Sequence, residues 1–347
     1  MLREGGVFLS LLGLLSFGCG ERTPASAEVE FQPSSARTTF TLGYSHKCAL
    51  RRTGKVACWG TASAALGINS QDDFSTPRDV EGIPTDDWHA ISAGAYGTCG
   101  LTELGDVWCW GASFDGTELP GAREIVSLHG RVEQISAGFS HVCALVRGGD
   151  IECWGYNEMG EAGPDKLKTV EPTRIEGLGQ PMIQVSAGTH FSCGLTAVHS
   201  VYCWGTNVHG ELLREGQSSS VLPVRIELQG EVKALGVSHG QSMCVVMRDE
   251  TLRCWGTRMY PILHPEGDAA RVLGLSHALS VSSGADESCA VLPGGSVWCW
   301  DEPTQTEALS KPTDVSELAS GEYEFCGRRG DELWCWTRAH QPERIDL

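Results

Sequence analysis

Positive charge is what this chain has least of. Its 347 residues carry 26 Lys and Arg against 44 Asp and Glu, a formal net charge of −18. No basic run interrupts that balance. A nucleic-acid ligand needs a basic stripe to neutralise its phosphates, so this class of partner is excluded. Adsorption of the folded body to an anionic membrane face is disfavoured for the same reason. Long apolar runs are also missing. The longest, Val7 to Phe17, is about a dozen residues where a spanning helix needs about 20. Other catalytic signatures are absent too: no phosphate loop, no His-Glu-x-x-His and no dinucleotide fingerprint. Acid pairs such as Asp72/Asp73 and Asp86/Asp87 fall in expected loops and read as solvated surface. Hydrophobic residues at 41% and charged ones at 20% describe a folding chain rather than a disordered one. What is abundant is Gly (43), Trp (11) and Cys (15, an odd number). That mixture suits many tight turns in a cysteine-rich exported protein.

The apolar run Val7 to Phe17 follows Arg3 and is followed by Gly18 and Cys19, so residues 1–19 read as an export signal. The segment Leu15, Ser16, Phe17, Gly18, Cys19 resembles a bacterial lipoprotein cleavage box, in which Cys19 would become the lipidated N-terminus. It departs from that pattern at Ser16, where Leu is usual, and at bulky Phe17; ordinary cleavage without a lipid is the alternative. Residues 20–39, with Glu21, Pro24, Ser26, Pro33, Ser34 and Ser35, read as a flexible tether.

Cys19 aside, the cysteines fall into pairs: Cys48 with Cys58, Cys99 with Cys109, Cys143 with Cys153, Cys193 with Cys203, Cys244 with Cys254, Cys289 with Cys299, and Cys326 with Cys335. Trp follows the second member every time, at 59, 110, 154, 204, 255, 300 and 336, and Gly follows that Trp in the first five. A motif recurring every 37 to 51 residues marks a repeat protein. Each pair reads as the two sides of a β-hairpin. If the cysteines face each other at a spacing of ten, the loop is three residues long and needs a left-handed residue at its end. Gly54, Gly105, Gly149 and Gly295 occupy that place, with His199 and Glu250 in two other repeats. The last pair is one residue shorter, giving a two-residue loop that begins at Gly330, as a type II′ turn requires. Facing cysteines in an exported chain are expected to form disulfides, each worth about 2–3 kcal/mol for so short a loop. Buried free thiols are the alternative. Zinc is not expected, because each repeat offers only two cysteines and no recurrent His.

Upstream of most hairpins lies an apolar segment ending in small residues: Ile91, Ser92, Ala93, Gly94; Ile135, Ser136, Ala137, Gly138; Val185, Ser186, Ala187, Gly188. Small residues there let a neighbouring backbone approach closely. Further upstream stand Pro-headed strands at Pro77, Pro172, Pro223 and Pro312. About four short strands per repeat describe the blade of a β-propeller. The expected architecture is all-β, a seven-bladed propeller over residues 40–347. The tail, Gln341 to Leu347, repeats the pattern of Glu171 to Gly177, and is expected to close the ring by completing the blade begun at Phe40 to Gly60.

The stretch Ser136, Ala137, Gly138, Phe139, Ser140, His141, Val142, Cys143, Ala144, Leu145, continued by Cys153, Trp154, Gly155, Tyr156, Asn157, Glu158, Met159, Gly160, resembles the repeat of the regulator-of-chromosome-condensation family, and the likeness runs over about 40–347. The Asn/Gly loop of that repeat is absent after Trp255, Trp300 and Trp336. The resemblance implies a seven-bladed propeller; paired cysteines with an export signal are similar to its bacterial secreted and lipoprotein members. Guanine-nucleotide exchange on a small GTPase, which the family name suggests, is not expected here: no segment matches the projecting wedge, and export removes the chain from GTP. A secreted relative that inhibits β-lactamase through one face is the better analogy.

The Trp residues after each second Cys are expected to wedge between blades. His46 and His141 stand where other repeats have Gly97, Phe191, Ser242, Glu287 and Glu324, so hydrogen-bonding props are expected rather than ligands. The expected role is non-catalytic: a monomeric cell-envelope propeller, tied to the outer membrane only through lipid on Cys19, or periplasmic or extracellular. It would bind a protein or surface polymer through its loop rim, with no cofactor, metal or nucleic acid. An enzyme or enzyme-inhibitor domain on the same scaffold is the alternative. The longer connections, 111–134, 155–184 and 205–235, are the expected contact loops, and Trp88, Phe114, Tyr156, Met159 and Tyr260 the expected anchors.

Overall fold

The computed structural model describes residues 38–61, 63–68, 73–83, 87–111, 114, 121–164, 167–256, 270–271, 275–302, 305–308 and 312–347. The expected leader and Cys19, nearly all of the tether, and the candidate anchor Tyr260 lie outside them.

The described residues form seven small antiparallel sheets arranged in a ring, a seven-bladed β-propeller. A blade takes its strands in chain order. In blade 3 these are the inner strand Val132–Ala137, the hairpin strands His141–Val146 and Asp150–Asn157, and the outer strand Leu167–Arg174. Blades 1, 2 and 4 to 7 are built on the other six cysteine hairpins in the same way. Blade 5 departs at its inner edge, where Val237–Ser238 leaves its own sheet and pairs parallel with Ser280–Ser283 of blade 6.

All seven cysteine pairs are directly opposed across their hairpins. All seven are disulfides, and free thiols are thereby excluded at these positions. Cys48 bonds to Cys58, Cys99 to Cys109, Cys143 to Cys153 and Cys193 to Cys203. Cys244 bonds to Cys254, Cys289 to Cys299 and Cys326 to Cys335. Their Cα atoms are 4.0–4.1 Å apart. The turns follow from that register. In blade 1 Arg51 N donates to Lys55 O (2.8 Å) and Gly54 N to Arg51 O (3.0 Å), leaving Gly54 at φ +83°. His199 (φ +65°) and Glu250 (φ +64°) take the same left-handed place without being glycine. His199 has a local compensation, since its Nδ1 donates to the Val232 carbonyl at 3.1 Å. In the shorter last hairpin Gly330 has φ +54°.

The expected mode of ring closure is corrected by the strand order. The tail strand His340–Ile345 pairs with Glu332–Thr337 in its own blade 7, placing Glu343 opposite Cys335. Blade 1 has its own outer strand, Phe74–Asp79, with Arg78 opposite Cys58. The Pro-headed strand therefore belongs to the hairpin before it. Pro77, Pro172, Pro223 and Pro342 sit on outermost strands, one residue before the partner of the second cysteine, where no further strand needs the missing N–H. Pro312 is different: it precedes the inner strand Glu317–Ser320. The ring closes by side-chain packing. Phe40, Leu42, Ala49 and Trp59 of blade 1 pack on Ala319, Cys326, Leu333 and Cys335 of blade 7. Thr39 N donates to Glu317 Oε1 at 2.7 Å, and Lys47 pairs with Glu324 at 2.8 Å.

The same packing recurs at every joint, where the disulfide of one blade shares an apolar cluster with the post-cysteine Trp of the next. Cys48 and Cys58 lie with Trp110, Cys99 and Cys109 with Trp154, and Cys143 and Cys153 with Trp204. Cys193 and Cys203 lie with Trp255, Cys244 and Cys254 with Trp300, and Cys289 and Cys299 with Trp336. Cys326 and Cys335 complete the circle against Trp59. The tryptophans are wedges, as their repeat position implies. Asn157 and Asn207 close the loops behind two of them. Asn157 Oδ1 accepts from Ala162 N (2.7 Å) and Asn207 Oδ1 from Leu212 N (2.8 Å). The loops then offer the Glu161 and Glu211 carbonyls to Trp204 Nε1 (2.9 Å) and Trp255 Nε1 (2.8 Å). The Asn/Gly loop is thus a structural lid over the next blade's tryptophan.

Candidate axial binding face

Antiparallel order gives each blade two ends. Inner-strand-to-hairpin connections and loops to the outer strands leave at one end; hairpin turns and blade-to-blade links leave at the other. The first end carries the convergent side chains. Its geometry begins with a glycine five residues before the first cysteine in six repeats: Gly43, Gly94, Gly138, Gly188, Gly284 and Gly321. A Cβ on Gly43 would lie 2.4 Å from Gly94 O, one on Gly94 2.4 Å from Gly138 O, and one on Gly138 2.2 Å from Gly188 O. Only hydrogen fits, so the connections draw together around the axis. Ser92 and Ser136 of the same motif accept from Ala137 N and Ala187 N of the following blade, each at 2.9 Å.

Blade 5 has His239 at the glycine position. Its Nε2 donates to the Ala93 carbonyl of blade 2 at 3.0 Å, so the imidazole bridges the axis. Burial lowers the His239 pKa, against the raising effect of that hydrogen bond. His46 and His141 are props between blades: each Nε2 lies 2.7 Å from a hydroxyl of the next blade, Thr98 Oγ1 and Ser192 Oγ respectively. Burial depresses both to about 4, so both are neutral at pH 7.

The two residues after the glycine position project around the axis. They place Tyr44, Tyr96, Phe139, His190 and Tyr323 on one face. Tyr44, Tyr96 and Phe139 form a mutual trio with ring centroids 5.9–6.4 Å apart. Phe139 continues to His190 (6.0 Å), and His190 to Tyr156 (6.2 Å). Tyr44, Tyr96 and Tyr323 are 50%, 52% and 58% exposed. Tyr44, Phe139 and Tyr323 border a depression of about 270 Å³ at the axis, whose lining draws on every blade and includes Gln241, Asp286 and Glu322. The Tyr323 phenol is pushed up by its hydrogen bond to Glu322 and by the nearby carboxylates of Glu322 and Asp286. The Tyr156 phenol is pushed up to about 12, chiefly by a hydrogen bond to Glu158.

Two of the five expected anchors reach this face. Tyr156 stacks toward His190, and Met159 is 38% exposed in the adjoining loop. Trp88 and Phe114 do not. Trp88 is fully buried, edge-on to Trp110 at 6.2 Å, and Phe114 is 7% exposed inside the joint between blades 2 and 3. Their loop-flanking positions suggest the rim; their side chains point into joints instead. The rings of this face are legible by another route, since Tyr44, Tyr96, Phe139, His190 and Tyr323 all stand three or four residues before a first cysteine.

The paired cysteines are structural and take no part in the face. Cys109, Cys203 and Cys254 are buried inside their hairpins, as are their partners Cys99, Cys193 and Cys244, and the other four pairs are buried likewise. Two groups bring a carboxylate to such a pair, Glu287 with Cys289 and Cys299, and Glu324 with Cys326 and Cys335. Their sulfurs are tied in disulfides and offer no thiolate to a metal.

The sequence profile described as the regulator of chromosome condensation (RCC1) repeat matches residues 88–117, 132–161 and 182–211. No curated protein matches the chain. Among solved structures, human WBSCR16 is similar at 17% identity, covering 81% of this chain and 83% of that one with a TM-score of 0.73. Prp20p from Saccharomyces cerevisiae, described with its binding to Gsp1p and histones, is similar at 18% identity, 84% and 86% coverage and a TM-score of 0.73. The CRINKLY WD40 ectodomain of the Arabidopsis thaliana receptor kinase ACR4 is similar at 22% identity, 89% and 98% coverage and a TM-score of 0.58. At these identities the likeness is one of fold.

Proposed function

We propose that this chain, which carries RCC1 repeats on a seven-bladed propeller, is an exported, non-catalytic binding protein that engages a protein partner through the face around its axis. Lipid on Cys19 would hold it at the bacterial outer membrane. Seven disulfides support an oxidising location, and among the described residues no helix is long and apolar enough to cross a membrane. The observation that carries the reading is the contiguous run of rings from Tyr44 through Phe139 to Tyr156, with Tyr44 and Tyr96 exposed and Phe139, His190 and Tyr156 half-buried, where scattered surface apolars would be ordinary. Rigid aromatic side chains on a fixed scaffold lose little entropy on binding and are enriched at protein contacts. Prp20p, described as binding Gsp1p and histones, supports the class of partner and no particular one.

The test is capture from envelope fractions with three forms: the parent, Tyr44→Ala/Phe139→Ala on the axial face, and Leu104→Ala/Val198→Ala on the exposed hairpin turns. The reading expects the axial variant to lose partners that both other forms keep. Loss from the turn variant alone contradicts it. For the anchor, fatty-acid labelling of the parent should vanish in Cys19→Ala.

A further inference from the structure

The depression at the axis combines three features. Its wall is aromatic, with Tyr44, Phe139 and Tyr323. Its charge is of one sign: Asp286 and Glu322 line it, and no Lys or Arg does among the described residues. Glu324, two residues on, is matched by Lys47 (2.8 Å), whereas among the described residues no Lys or Arg pairs with Asp286 or Glu322. Its orphan polar atoms are acceptors. Glu322 Oε2 is buried without a hydrogen-bond partner, and so is His239 Nδ1. Because His239 Nε2 donates to the Ala93 carbonyl, the neutral ring leaves Nδ1 as a bare lone pair.

We infer that the axial mouth receives an arginine side chain presented by the partner protein. This rests on the reading of the axial face as the binding surface. A guanidinium is all donors and no acceptor, is planar, and stacks on aromatic rings while keeping its charge. It therefore answers all three features: cation–π contact with the tyrosine and phenylalanine wall, charge complementarity with Asp286 and Glu322, and donors for acceptors that lack them. The net charge of −18 adds long-range attraction for a basic partner segment. A neutral sugar would use the rings but leave the carboxylate charge unmatched.

The probe is a blocked glycine-flanked peptide with one central arginine, compared with the same peptide carrying citrulline, the neutral isostere, and with chitotriose as a neutral glycan. Binding to the full folded domain is followed by calorimetry or NMR. The arginine peptide should bind at least tenfold tighter than the citrulline peptide. The isosteric variant Asp286→Asn/Glu322→Gln should lose tenfold or more for arginine and little for citrulline, and Tyr323→Ala should weaken arginine binding with unchanged thermal unfolding. Equal binding of arginine and citrulline, an unaffected isosteric variant, or tighter binding of chitotriose overturns the inference. If the arginine peptide is ignored while Tyr44→Ala/Phe139→Ala still loses its captured partner, the arginine inference falls and the axial face stands. If that variant keeps its partner, both fall.

Discussion

His239 of blade 5 donates from Nε2 to the carbonyl of Ala93 in blade 2 at 3.0 Å, tying blades that are not neighbours. The bond exists because the repeat lapses: the other six blades have glycine at this position, whereas in blade 5 the close approach falls on Gly240, whose Cβ would lie 2.2 Å from Gly284 O. Replacing His239 by Gly should cost about 1 kcal/mol, the net worth of one hydrogen bond, and leave the ring intact. Denaturant titration checks this; a loss of cooperative unfolding would show that the bridge holds the ring together.

Gly94 is predicted to tolerate nothing larger. A Cβ there would sit 2.4 Å from Gly138 O and 2.6 Å from a Phe114 ring carbon. Gly94→Ala should destabilise by about 1–3 kcal/mol or prevent folding. Gly121→Ala, whose Cβ would meet nothing within 4 Å, is the control and should be near neutral. Equal thermal midpoints for the two would contradict the close approach of the blades.

Removing one disulfide, as in Cys143→Ala/Cys153→Ala, should cost about 2–3 kcal/mol if it acts by restricting the unfolded chain, plus any loss of packing against Trp204. The blade register should survive, since the backbone ladder across the pair does not need the sulfur. Urea unfolding gives the first number and amide exchange in 141–155 the second; lost protection confined to that hairpin would show that the bond sets the register.

The pH dependence has a definite sign. His46 and His141 are depressed from 6.5 to about 4 by burial, so the unfolded chain binds protons that the folded one refuses. Stability should be full above pH 6.5 and fall as pH drops toward 4, by roughly 3 kcal/mol for each histidine. His239 works in the same direction. Glu317, raised by burial at the joint of blades 7 and 1, works in the opposite one. His141→Gln should flatten the slope between pH 6.5 and 4 in urea midpoints; an unchanged slope would refute the assignment.

The hairpins were legible because a disulfide at a spacing of ten dictates both facing residues and turn. Cys99 to Cys109, Cys193 to Cys203 and Cys244 to Cys254 follow that rule alike, although only the first of these turns ends in glycine. His199 and Glu250 take left-handed φ where sequence preference alone would demand glycine. Blade membership of the Pro-headed strands was not legible. Alternation marks a strand but not its neighbour, and Pro342 could have completed either blade 1 or blade 7 until pairing put Glu343 opposite Cys335. The site divided along a similar line. Tyr156 reaches the face while Trp88 is buried, because proximity to a loop does not fix which way a side chain points. Position within the repeat does: Tyr44 and Phe139 stand four residues before a first cysteine, Tyr96 and Tyr323 three.

Residue-level footprinting of the protein bound to its envelope partner tests the account most directly. The prediction is protection of Tyr44, Tyr96, Phe139 and Tyr323 with continued labelling of Leu104, Val126, Val198 and Leu279 at the opposite ends of the blades. Protection of the latter set, with the tyrosines still labelled, would contradict an axial binding face.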